Sequence, residues 1–144
     1  MDDRHSTSGN VFSFAKGPVS WLSKKQATVA LSTAEAEYVA LSMATQEAVW
    51  LRRLLTDVGE SPKSPTVIHE DNQGAIAMAK KPVGHARTKH IDIRYHFTRE
   101  AVQTGAIVLK YIPSDEMMAD ILTKSLPKCR FEKLVDKLGM RHAK

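Results

Sequence analysis

A hairpin followed by strands and helices in alternation predicts an α/β fold for this 144-residue chain, a mixed sheet with helices on its faces. Three observations carry the prediction. Two short apolar runs flank a turn near the N-terminus, a strong helix start stands at Ser32, and later β-branched runs alternate with helical ones. A composition of 42% hydrophobic and 26% charged residues suits one domain over 1–144, with a basic helix and tail over 127–144.

The runs Asn10–Phe14 and Pro18–Leu22, separated by Ala15-Lys16-Gly17-Pro18, read as a β-hairpin. Ser32-Thr33-Ala34-Glu35 has the spacing of a capping box and precedes good helix formers as far as Asp57-Val58-Gly59, which predicts a helix over 33–57. Thr66–Glu70 is a short β-branched strand, and Gln73–Lys80 a helix of small residues. Pro82 and Gly84 make Lys81–Lys89 a loop. A helix over 91–104 would bury Ile93, Phe97, Ala101 and Val102 on one side. Ala106–Ile112 is the last strand, Met117–Ser125 a short helix, and Cys129–Leu138 a final helix that Gly139 ends.

The net charge of +5 is unevenly spread: residues 80–99 and 124–144 each net +5, and the remainder −5. Basic segments around an acidic centre suit a surface that attracts a polyanion while carboxylates act within. No run of about 18 apolar residues could span a membrane and no signal-peptide pattern follows Met1, so an intracellular protein without a membrane partner is expected. The lone Cys129 has no cysteine partner and reads as a bystander. His85, His90 and His96 are spaced five and six apart, which matches no zinc motif.

Leu41, Ala44, Ala48, Leu51 and Leu55 form the inward stripe of the long helix, and extending it back four residues reaches Glu37. Glu35 lies about 200° round the helix from Glu37 and is explained by capping. Asp71 follows the Thr66–Glu70 strand, where open sheets place ligand groups, although Asp-Asn there is also ordinary capping. Strand alternation turns Glu70 to the opposite face from Asp71. Asp120, beside Met118, Ile121 and Leu122, reads either as a dipole residue of a short helix or as a third carboxylate. Three such groups from a helix, a strand end and a late helix would suit a magnesium-dependent phosphoryl-transfer site.

Several long blocks, in order, carry a resemblance: Asp3–Gly9, Val19–Gln26, Leu31–Ala40 around Ala-Glu-Ala-Glu-Tyr38, Glu70-Asp-Asn72, Arg87–Asp92, Tyr95–Phe97 and Ala119–Lys124. Together they resemble the ribonuclease H domain at the C-terminal end of copia-type retrotransposon polyproteins. The resemblance implies a ribonuclease H-like mixed sheet of five strands with flanking helices. It also implies cleavage of the RNA strand of RNA–DNA hybrids during reverse transcription, alongside an upstream reverse transcriptase domain. The family's carboxylates fall on Glu37, Asp71 and Asp120, which would hold two Mg²⁺ ions, or Mn²⁺, about 4 Å apart. Hybrid or other nucleic acid would be met by Lys80, Lys81, Arg87, Lys89, His90 and Arg94.

The family's first Asp belongs to a strand upstream of the block on which Asp2 and Asp3 fall. The resemblance therefore implies a first strand missing or incomplete in this sequence, ladder groups left open on its neighbours, and impaired cleavage by the chain alone. The alternative expectation is a non-catalytic nucleic-acid-binding or interaction protein co-opted from the element.

Overall fold

Ala15 and Lys16 both adopt positive φ, 49° and 68°, and so turn the chain in two residues with the twist that a hairpin needs. The turn joins β1 (Thr7–Phe14) to β2 (Gly17–Lys25), which pair antiparallel with a bulge at Phe12/Ser13 opposite Pro18. Proline lacks a ladder donor, and the bulge accommodates it. The hairpin is longer at both ends than its apolar runs indicate. The computed structural model describes residues 4–80 and 89–141, the first four of the latter by backbone alone.

Helix α1 (Thr33–Asp57) starts where the capping box predicts. Ser32 Oγ accepts from the Glu35 backbone N–H at 3.1 Å, while the Glu35 carboxylate reaches one residue further back than expected, to the N–H of Leu31 at 3.0 Å. Strand β3 (Thr66–Glu70) runs parallel to β4 (Ile107–Tyr111), and α2 (Gln73–Lys80) and α3 (Lys89–Gln103) come between them. The crossover is the ordinary way to join parallel strands.

Tyr38, Leu41, Ala44 and Ala48 of α1 pack with Ile68, Ala75, Ala79, Ala101, Ile107 and Leu109 into the main core. Five alanines in that list let α1, α2 and α3 approach closely. Tyr38 also stacks on Tyr95 with ring centroids 4.2 Å apart. Ile93 is not part of the inward face predicted for the second helical stretch: it is largely exposed, and α3 faces the core through Ala101 with Tyr95 and Val102 beside it.

The expected short helix at 117–125 is instead two 3-10 segments, Ser114–Glu116 and Met118–Leu122. Bonds from Asp120 N to Met117 O and from Thr123 N to Asp120 O tighten the turn, in a stretch too short for several α-helical bonds. Helix α4 (Lys128–Lys137) packs behind it, ends at Leu138, and hands over to Gly139 at φ 74°.

The strands do not form one mixed sheet. Among the described residues there are two sheets of two strands, β1-β2 and β3-β4, with no ladder between them. Helix α1 packs on both. Along β1, Ser8, Asn10 and Phe12 share one side: Gln26 Nε2 ties Ser8 Oγ to the Ala36 carbonyl of α1, and Phe12 packs on the core. On the other side, Gly9 lies so near Thr123 and Ala119 that any side chain there would collide with them. The hairpin is thus layered between α1 and the 3-10 turns, and β3 stands across a gap from it.

Candidate functional site

A cavity of about 570 Å³ fills the gap between the sheets, with Glu37, Glu70, Asp71 and Asp120 all on its wall. The second turn of α1 brings Glu37 there, in line with the buried Leu41 and Ala44. Asp71 arrives just past the end of β3, where the chain bends before α2, and Asn72 caps that helix by accepting from Ala75 N at 3.0 Å. Oxygens of Glu37, Glu70 and Asp71 lie within 4.8 Å of one another.

Glu70 corrects the sequence reading, which turned it away from Asp71. It is only 5% exposed and joins the same group. Alternation within β3 places it on the buried side with Ile68, and that signal was available in the sequence. The chain bends at Asp71, so alternation does not extend past the strand, and both carboxylates reach one cavity. Glu70 Oε1 accepts from the Asn72 N–H at 3.0 Å, which fixes its direction.

The electrostatics follow from crowding like charges out of water. Burial pushes Glu70 up to about 8, against the relief of the Asn72 N–H, and the charges of Glu37 and Asp71 add to the rise. Glu37 is also raised, by burial first and then by Asp71 and Asp120, with Lys124 opposing. Groups in this state lack positive charge. An all-oxygen donor set of close carboxylates fits a hard divalent cation such as Mg²⁺ or Mn²⁺, which would relieve that repulsion.

Asp120 is held differently. It is 6% exposed and lines the same cavity, but it stands outside the close group of three. Arg130 Nη2 donates to its Oδ2 at 2.7 Å and to the Ser114 carbonyl at 2.6 Å, while Lys124 Nζ lies 3.3 Å from Oδ1. Two cations therefore already balance this carboxylate. Neither was singled out from the sequence, because Arg130 reaches back from α4 across a turn that spacing does not reveal.

Of the basic residues, Lys80 is exposed at the end of α2 and Arg94 is half-buried on α3. Lys89 and His90 open α3, and their side chains lie outside the described residues, as do Lys81 and Arg87. The expected loop over 81–89 falls almost wholly there. Cys129 is exposed and unpaired with any other cysteine. No helix among the described residues is long and apolar enough to cross a membrane.

Comparison with known proteins gives the chain its relatives. It is 44% identical over 140 residues to the retrovirus-related Pol polyprotein from transposon TNT 1-94 of Nicotiana tabacum, a match covering 97% of this chain. It is 40% identical over 139 residues to those from transposons RE1 and RE2 of Arabidopsis thaliana. The chain spans about 10% of the length of each. A shorter match, 65% identical over 51 residues, covers 35% of this chain and 36% of the secreted RxLR effector protein 161 of Plasmopara viticola. No family model and no solved structure matches. Over nearly its whole length, the chain is thus a homologue of one segment of the retrovirus-related Pol polyproteins of plant copia-type transposons.

Proposed function

We propose that this chain is the ribonuclease H-like segment of such a polyprotein, which in the intact element hydrolyses the RNA strand of RNA–DNA hybrids during reverse transcription, and that cleavage by the chain alone is impaired. The observation that carries the reading is the mutual approach of Glu37, Glu70 and Asp71 within 4.8 Å on one cavity wall, in a chain homologous to Pol polyproteins. When bound, divalent cations supply charge that activates a water and stabilises the leaving 3′ oxygen.

The chain's own residues would do the rest. Glu37 and Asp71 present carboxylate oxygens to the cation, and Glu70, oriented by the Asn72 N–H, completes their charge. Arg130 and Lys124 hold Asp120 in place across the cavity, for recruitment as a further ligand. Lys80 and Arg94, with Lys81, Arg87, Lys89 and His90, offer phosphate contacts to a hybrid read by its shape. In the intact polyprotein a reverse transcriptase domain would deliver that hybrid.

Two measurements test this. Mg²⁺ or Mn²⁺ should raise the melting temperature of the chain saturably, and Asp71→Asn should abolish most of the rise. In the whole polyprotein, Asp71→Asn should abolish hybrid cleavage and leave polymerisation intact. Cleavage that survives Asp71→Asn would sink the reading.

A second reading is a non-catalytic nucleic-acid-binding or interaction module co-opted from such an element. It is favoured by the 65% identity to part of a protein named as a secreted effector. Hybrid binding that weakens with salt, without turnover under any divalent cation, would select it over the first.

A further inference from the structure

Asp120 meets its two cations from different sides. Lys124 stands on the wall of the cavity with the carboxylates, whereas Arg130 does not line it and reaches Asp120 from α4. The two also divide its oxygens. Arg130 Nη2 donates to Oδ2 at 2.7 Å and to the Ser114 carbonyl at 2.6 Å, while Lys124 Nζ is 3.3 Å from Oδ1. One guanidinium nitrogen thus ties Asp120 to the backbone of the preceding 3-10 segment.

The two cations are held with unequal firmness. The Arg130 side chain is 26% exposed and that of Lys124 55%. Arginine presents donors from a rigid plane, and lysine is a strongly hydrated point charge on a flexible stem that water readily takes back. The Lys124 charge is also felt at Glu37, whose carboxyl it draws down against burial and Asp71. Lys124 therefore serves carboxylates of two different elements from inside the cavity, as a divalent cation there would.

We propose that Lys124 is an internal counter-cation that releases Asp120 Oδ1 when a divalent cation enters the cavity, and that Arg130 is the positioning residue that keeps Oδ2 throughout and aims the freed oxygen. The proposal rests on the cation-binding part of the hydrolytic reading and adds a division of labour to it. Charge alone would make the two residues equivalent, because each places one positive charge beside Asp120 and so repels an incoming cation. Positioning makes them opposite.

The test is Mn²⁺ titration calorimetry on the full chain. Lys124→Met should tighten binding about fivefold, by removing a competing charge. Arg130→Met should weaken it about tenfold, as loss of a group that orients a ligand does, and Arg130→Lys should restore most of the affinity. In an Asp120→Asn background the loss caused by Arg130→Met should vanish. A second measurement needs no substitution: saturating Mg²⁺ should make Lys124 of the parent chain acetylate severalfold faster than in EDTA, with the exposed Lys128 unchanged as the control. Tighter binding in both methionine variants, or a Lys124 reactivity that ignores Mg²⁺, would overturn the proposal and leave the cation site standing. Absence of saturable binding, or binding that Asp71→Asn leaves intact, would overturn the cation site itself and the proposal with it.

Discussion

Replacing Glu70 by glutamine should stabilise the metal-free chain at pH 8, although the residue is buried. Burial, with repulsion from Glu37 and Asp71, pushes its carboxyl up to about 8 from an ordinary 4.5. Between those values the folded chain keeps a proton that the unfolded chain has released. The stabilising effect of that proton is complete below about 4.5 and is lost as pH rises through about 8. At about 1.36 kcal/mol per pKa unit the whole span is worth about 5 kcal/mol. Side-chain rotation and entry of water relieve part of it, leaving roughly 2–3 kcal/mol. Glutamine keeps an oxygen for the Asn72 N–H and carries no charge. Thermal melts in EDTA from pH 4.5 to 8.5 should therefore show the two proteins together at the acid end. At pH 8 the variant should melt about 5–10 °C higher. Equal pH slopes, or a variant less stable at pH 8, would refute the reasoning. Added Mg²⁺ should narrow the difference, by stabilising the parent chain more.

Three further outcomes are expected. Arg130→Met leaves the buried Asp120 with only the half-exposed Lys124, and should cost about 2–4 kcal/mol in urea titration, with Asp120→Asn recovering part of it. Ser32→Ala removes the acceptor for Glu35 N–H and should cost about 1 kcal/mol, seen as a lower urea midpoint with an unchanged slope. Gly139→Ala should cost about 1–3 kcal/mol by the same measurement, because Gly139 has φ 74° and a Cβ there would strike the Lys16 carbonyl oxygen at the hairpin turn.

Local chemistry was the legible part of this sequence. Ser32 and Glu35 mark the start of α1 because their partners are three and four residues away, and Thr66–Glu70 announces itself by β-branching. Glu37 is found by helix phase and Asp71 by the end of a strand. What spacing could not give was pairing across distance. Nothing local says that β1 and β3 share no ladder among the described residues, that Arg130 folds back on Asp120, or that bending at Asp71 puts Glu70 beside it. Ile93 failed for a related reason. Helical phase names a face, but the neighbours decide which of its residues are covered, and the core meets α3 at Ala101.

Among the described residues no ladder joins the two sheets, and α1, packed on both, is their shared axle. Asp120 travels with the hairpin through the packing of Gly9 on Thr123, whereas Glu70 and Asp71 travel with β3, and Glu37 belongs to the axle itself. A small roll of either sheet about α1 would change the spacing of these oxygens before it disturbed any backbone hydrogen bond. A cation held by these carboxylates would therefore gauge the separation of the two sheets.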